Sequence, residues 1–384
     1  MKVSRFLFIA AVAGAILAGC KKDKDVDLTG NLTIDPTVDV TTGTELTAKY
    51  NGTETVSFQW NKNKTVIGSA TGSKYTPSEE GSYTVTASAK GYNSKTSAPV
   101  EVKRHTHTWV WVETSALAEI HTCTSCGETG ETRSAIQSRM TAIPAGSVAM
   151  NANFTVNLSS FKMCKYQVTQ AQYEAVMGNN PSHFHGGSGR EVAEGEVQGK
   201  RPVENITWFD AIEFCNKLSL LEGFTLVYTI TGRTPENGYP ITNATVTADF
   251  SKNGYRIPTE AQWEYACRAG TTTTWVHGSI EAGLENYAWY SVNSNNKTHE
   301  TGKKTANAFG LYDMHGNVWE WCWDFFGGFP NGTETDYRGP VSGSAHIDRG
   351  GSWNETATRT GSSYRDARNF NISDNSLGFR LVCP

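Results

Sequence analysis

Four side chains in one short stretch have the types that hold a borderline-soft cation. His105-Thr106-His107 is followed by His121-Thr122-Cys123-Thr124-Ser125-Cys126-Gly127. Imidazole nitrogen and thiolate sulfur are the ligands of tetrahedral zinc, and His105, His107, Cys123 and Cys126 could supply all four. A local disulfide or a plain hairpin with free thiols would use the same cysteines. A second cluster offers oxygen. The turn at Gly316-Asn317 frees backbone carbonyls beside Glu320, and carbonyl plus carboxylate suits a hard cation such as Ca²⁺. A hydrogen-bonded turn without metal is the other use of that sequence. No Gly-x-Ser-x-Gly, phosphate-binding loop or zinc-protease motif is present, and the carboxylates form no pair that can be placed across a cleft.

The elements that must position these residues are few and well signalled. In Trp319-Glu320-Trp321-Cys322-Trp323-Asp324 a strand sends the three tryptophans to one face and Glu320, Cys322 and Asp324 to the other. Thr207 can cap a helix running from Trp208 to Leu220-Leu221, with Asp210 in its first turn and Gly223 as its stop. Thr259-Glu260-Ala261-Gln262 has the residue types of a capping box and opens a helix to Ala269-Gly270. A third helix is expected from Gln170 to Met177, after Thr169. No βαβ alternation is present, so residues 140–384 read as one α+β domain with extensive irregular structure. Upstream, residues 30–103 alternate apolar and polar in Leu46–Tyr50, Val56–Trp60 and Tyr83–Ala87, with Asn51-Gly52, Glu80-Gly81 and Lys90-Gly91 as turns. This pattern predicts a small β-sandwich with Trp60 in its core. Glu79-x-Gly81-x-Tyr83 resembles the tyrosine corner of immunoglobulin-like domains. Residues 104–134 form the small His/Cys-x-x-Cys module between the two.

The chain has 384 residues, 34 Lys+Arg against 38 Asp+Glu, and 8 cysteines. That length suggests two to three domains, and the charge balance excludes a nucleic-acid partner that needs a basic stripe. Lys2 and Arg5 precede an apolar run, Phe6 to Leu17, too short to span a bilayer. Leu17-Ala18-Gly19-Cys20 then resembles a bacterial lipobox. The resemblance implies a signal peptide over 1–19, lipid on Cys20, a charged tether over 20–29, and a bacterial lipoprotein anchored to a membrane and facing an extracytoplasmic space. The alternative is an ordinary secretory signal.

Four segments of the large domain carry a further resemblance. They are Arg201–Trp208, Tyr255–Ala266, Gly310–Trp321, and Arg349-Gly350-Gly351-Ser352-Trp353 with Leu377-Gly378-Phe379-Arg380. In this order they resemble the formylglycine-generating enzyme, or sulfatase-modifying factor, family. The resemblance implies a C-type-lectin-like fold. It also implies calcium held by Asp313 (side chain), Gly316 and Val318 (backbone) and Glu320. A second, weaker calcium set falls on Asn286, Tyr287, Asn293 and Asn295. The family often ties the Cys215 helix to the terminal strand, which makes Cys215 and Cys383 the disulfide candidates.

The resemblance breaks where the chemistry lies. Active members oxidise a substrate cysteine to formylglycine with O₂, using Cu⁺ held by two cysteines after Gly-Gly-Ser. Here the matching positions are Glu355 and Thr360, and neither can serve as a thiolate. Ser352 and Arg368 still match pocket residues, so Ser352, Glu355, Thr360 and Arg368 read as a vestigial pocket with no place for copper. The expected function is that of a non-catalytic lipoprotein, a pseudoenzyme that binds an unidentified glycan or protein in that groove. A formylglycine-generating oxidase with rearranged ligands is the alternative.

Overall fold

The computed structural model describes residues 26–384, so Cys20 and the leader lie outside the described residues. The chain divides into two compact units, taken here in turn.

The first unit is all β. One sheet pairs β1 (Leu32–Asp35) with β2 (Leu46–Tyr50) and the short Lys74–Tyr75 strand. A second runs in the order β5, β4, β3, from Val100–Val102, Gly81–Ser88 and Ser57–Lys62. The period of two predicted from sequence is visible in β4, where Tyr83, Val85 and Ala87 are buried between less buried neighbours. These side chains join Leu32, Ile34, Leu46 and Trp60 in one core. Trp60 is fully buried and its indole N–H donates to the Gly72 carbonyl at 2.9 Å. The Tyr83 hydroxyl donates to the Glu79 carbonyl at 2.8 Å, which pins the turn before β4.

The second unit opens with an antiparallel meander of β6 (Trp109–Ser115), β7 (Ala118–Cys123) and β8 (Thr129–Ser134). Next comes a sheet of β9 (Met140–Ile143) and β10 (Phe161–Cys164), with the terminal strand Val382–Cys383 on its far edge. The three helices form as the caps predict. They are α1 (Gln170–Met177), α2 (Trp208–Leu221) and α3 (Glu260–Arg268). Thr169, Thr207 and Thr259 each close a reciprocal capping box with the side chain three residues on.

The central sheet positions the site. Its order is Arg365–Arg368, His346–Arg349, Trp319–Phe325, Leu377–Gly378, here β13, β12, β11 and β14. Along β11, Trp319 and Trp321 enter the core shared with α1 and α2, and Trp323 packs on its margin. Cys322 enters a separate core behind α3 with Trp263 and Met314. Both faces of β11 are thus covered, and Glu320 and Asp324 are buried as well as the tryptophans. The unit is α+β, mostly sheet with few helices, and much of its backbone is irregular.

One expected tie is absent. Cys215 and Cys383 are both free thiols. Cys215 is buried in the α2 core, and Cys383, paired with Lys162 at the sheet edge, is partly buried against that same core, where burial raises its pKa. Phe214 of α2 packs against Phe379, which precedes the terminal strand, with ring centroids 5.2 Å apart.

Candidate functional site

The segment after Gly350-Gly351 leaves the end of β12, forms a short helical turn at Ala357–Thr360, and returns as β13. Ser352 and Thr360 are both fully buried. The Ser352 hydroxyl donates to Asn354 Oδ1 at 2.7 Å. Thr360 points inward: its hydroxyl donates to the Ala357 carbonyl at 2.7 Å and accepts from the Trp275 indole at 3.0 Å. Its carbonyl accepts from His315 Nδ1 at 2.8 Å, and burial lowers the pKa of that imidazole to about 4. Glu355 accepts three bonds, from Arg359 Nη1 on each carboxylate oxygen at 2.9 Å and from the Trp319 indole at 3.3 Å. The two copper-equivalent positions are therefore committed to the protein itself. A hydroxyl and an ion-paired carboxylate do not fit a soft monovalent metal, and no step is derived through copper.

Above them the chain builds a charged and aromatic surface that sequence alone did not reveal. Arg359 bridges Glu355, Asp366 (3.1 Å) and the Tyr364 hydroxyl (2.9 Å). Arg368 bridges Asp348 (3.0 Å) and Asp374 (3.3 Å). Both guanidinium groups lie 5.9 Å from the Trp319 ring centroid. The Glu355–Arg359 spacing of four residues across a helical turn is the one signal that could have pointed to Arg359. Burial raises the Asp348 pKa to about 7, with Arg368 opposing the shift. Asn369, Asn371 and Ile372, just after β13, are exposed. A groove of about 290 Å³ lies elsewhere, lined by Arg139, Tyr166, Gln172, Lys200 and Lys303, and none of the four vestigial-pocket residues borders it.

The first calcium set is assembled but filled. Gln167 Nε2 lies 3.3 Å from the Asp313 carbonyl, 3.3 Å from that of Gly316, 3.0 Å from that of Val318 and 3.0 Å from Glu320 Oε1. The oxygens that the family resemblance assigns to a cation thus converge on an amide nitrogen. Asp313 offers its carbonyl, while its carboxylate turns to accept the Gly302 N–H at 2.8 Å. Glu320 is also paired with Arg380 and accepts from the Trp263 indole at 2.7 Å. The turn depends on Gly316, whose φ is +104° and where a Cβ would stand 2.1 Å from the Trp289 carbonyl oxygen. Gln167 Nε2 thus stands at the centre of this oxygen set, while Gln167 Oε1 and Asp313 Oδ1 are buried without a hydrogen-bond partner. The second set is engaged in local contacts. Asn293 spends its amide on Tyr290 N–H (3.0 Å) and the Ala288 carbonyl (2.9 Å), Tyr287 stacks on His277, and the Asn286 carbonyl accepts from Thr305. Asn295 is exposed at φ +53°. This is a hydrogen-bonded turn.

Of the zinc candidates, His105 and His107 belong to the first unit, whereas in the second Cys123 ends β7 and Cys126 lies on the turn after it.

Comparison with known proteins places this geometry. The model of the sulfatase-modifying factor enzyme 1-like domain matches residues 127–383. The chaperone protein LppX of Paenibacillus barcinonensis is 32% identical over 297 residues, spanning 71% of this chain and 98% of LppX. The formylglycine-generating enzyme of Thermomonospora curvata is 36% identical over 117 residues, or 26% of this chain and 39% of that enzyme. Among solved structures, Treponema denticola variable protein 1 is 38% identical with a TM-score of 0.60, covering 72% of this chain and 99% of that one. On this evidence the chain belongs to the sulfatase-modifying factor, or formylglycine-generating enzyme, family.

Proposed function

We propose that this protein is an extracytoplasmic lipoprotein, held to a membrane by lipid on Cys20, whose large domain binds a glycan or protein ligand without catalysis. One observation carries the reading. Glu355 and Thr360, which stand where the oxidase needs thiolates, are engaged by Arg359, Trp319 and Trp275. Thr360 is sealed in the core, and Glu355 contributes to a surface of arginine, carboxylate and aromatic groups. Arg and Tyr are among the residue types of binding hot spots, and Trp319 lies buried beneath them. The chaperone name of LppX, a relative matched along nearly its whole length, supports binding over chemistry.

The test has two arms. The purified chain is screened against glycan and protein arrays, and hits are repeated with Arg359→Ala. The chain is also given Cu⁺, O₂ and a Cys-x-Pro-x-Arg peptide. Saturable binding that Arg359→Ala weakens, with unchanged peptide, is expected. Formylglycine in the peptide, or stoichiometric copper, would establish the oxidase instead.

A further inference from the structure

We infer that the pocket lined by Arg256 and Arg338 binds a small oxyanion, a phosphate or sulfate group, at a site separate from the Arg359 face. The pocket has a volume of about 250 Å³, and Phe250, Thr259 and Asp336 border it beside the two arginines. None of Ser352, Glu355, Arg359 and Trp319 borders it. Pockets for drug-sized molecules run from about 300 to 1,000 Å³, so the occupant is small.

The first argument is a buried charge without a counter-charge. Arg256 is only 6% exposed. Its backbone is fixed against the terminal strand, with Arg256 N–H donating to the Val382 carbonyl at 2.9 Å and Val382 N–H to the Arg256 carbonyl at 2.8 Å. Arg256 Nη1 donates to Gln262 Oε1 at 2.7 Å and to the Ile257 carbonyl at 3.2 Å. Gln262 Oε1 also accepts the Thr259 N–H at 3.2 Å, so the capping box of α3 orients the guanidinium. Nε and Nη2 donate to no group among the described residues. The titratable groups acting on Arg256 are Tyr228, Cys383, Arg338 and Cys215, and none is a carboxylate. Burial lowers the Arg256 pKa, and Arg338 lowers it further. A buried cation of this kind is destabilising until an anion reaches it.

The second argument is Arg338. Its guanidinium lies 4.4 Å from the Phe250 ring centroid, and that of Arg256 lies 4.5 Å from the same centroid. Two like charges therefore share one aromatic wall. Arg338 is exposed, and among the described residues it forms no ion pair. Asp336 and Pro384 also border the pocket, and neither pairs with these arginines. The Asp336 carboxylate is committed elsewhere: Oδ1 accepts the Ser159 N–H at 2.8 Å and Oδ2 accepts the Ser159 hydroxyl at 2.7 Å. An oxyanion with two charges matches two unpaired guanidinium groups, whose forked N–H donors suit phosphate and sulfate oxygens.

Isothermal titration of the full chain with inorganic phosphate, sulfate and glycerol phosphate tests the site, with ionic strength held constant by NaCl. Saturable binding of one anion per chain is expected. Arg256→Gln loses it. Arg338→Ala, at an exposed position, keeps the fold and weakens binding at least about tenfold. Arg233→Ala, which removes a cation outside the pocket, retains the wild-type affinity. Glycerol phosphate binding more tightly than phosphate would assign an ester group to the site, and the reverse order the free ion. If Arg256→Gln does not fold, Arg338→Glu decides in its place by abolishing binding. No saturable binding of any of the three at millimolar concentration, or an affinity unchanged by Arg338→Ala, would overturn the assignment.

Discussion

Glu320 and Arg380 meet as a fully buried bidentate pair, Oε2 to Nε at 2.6 Å and Oε1 to Nη2 at 2.7 Å. The remaining guanidinium hydrogens reach the carbonyls of Cys164, Lys165 and Tyr312. A buried pair with its other donors satisfied is costly to break from one side, because the partner is left charged in a dry interior. Arg380→Met is therefore expected to lower the unfolding free energy by about 3 to 5 kcal/mol. Added Ca²⁺ leaves the melting temperature of the wild-type chain where it was, since Gln167 and Arg380 already serve the oxygens. A rise of several degrees with millimolar Ca²⁺ would overturn this account.

The strengths and gaps of the sequence reading follow from this same pair. Helices α1, α2 and α3 were legible because their caps are local: each rests on a threonine and a side chain three residues away. The face pattern of β11 was legible because strands alternate. Gln167 was not, because it acts on residues well over a hundred positions away in the chain, and no local pattern records such an approach. Arg368 was visible as a pocket residue, but its partners Asp348 and Asp374 come from β12 and from the loop beyond β13. The loss of both copper thiolates needed only the two letters at 355 and 360. What replaced them, an inward threonine and a carboxylate locked by Arg359, needed the fold.

Arg368→Ala tests the neighbouring pair. Asp348 is fully buried, and its pKa is already raised to about 7 by burial despite the guanidinium beside it. Removing the cation raises it further. The unfolded carboxyl loses its proton near its ordinary value of 3.8, so the folded state binds more protons than the unfolded state above that pH. The penalty of Arg368→Ala is then larger at pH 8 than at pH 5, and Asp348→Asn added to it recovers much of the loss at pH 8. Equal penalties at both pH values in urea titrations would contradict the pairing.

Asp324 predicts a separate pH dependence. Burial, and then the nearby Glu260, raise its pKa to about 8, while it accepts the Glu260 N–H at 2.8 Å. A carboxyl raised in the folded state stabilises while protonated. Its contribution is full below pH 3.8 and is lost as pH rises through about 8. Asp324→Asn keeps an acceptor for the N–H and removes the ionisation. The variant is expected to lose less stability than wild type between pH 6.5 and pH 8.5, read as the difference in urea midpoints. Parallel curves would show that Asp324 is ionised throughout.

The cysteines give a chemical check on the fold. Cys164, Cys215, Cys267 and Cys322 are buried, and burial pushes each thiol pKa upward. A protonated, inaccessible thiol alkylates slowly. In native protein these four are expected to resist iodoacetamide, and in denaturant without reductant all four, together with Cys383, label fully. A peptide pair linking Cys215 to Cys383 in the unreduced digest would restore the bridge that the family resemblance implied.

Arg359 separates binding from folding. Its side chain is 39% exposed, and its partners Glu355 and Asp366 are 14% and 31% exposed. Ion pairs so placed are screened by water, and breaking them costs about 0 to 1 kcal/mol. Arg359→Ala is therefore expected to fold normally. If the face over Trp319 binds the ligand, the same change removes an anchor of hot-spot type, and the affinity for an array hit falls at least about tenfold. Arg233→Ala is the control, because it breaks the Arg233–Glu213 pair between α2 and the strand Tyr228–Thr234. Loss of binding in Arg359→Ala alone, measured by titration on variants of matched melting temperature, assigns recognition to this face. Equal affinity in both variants would move the ligand elsewhere on the domain.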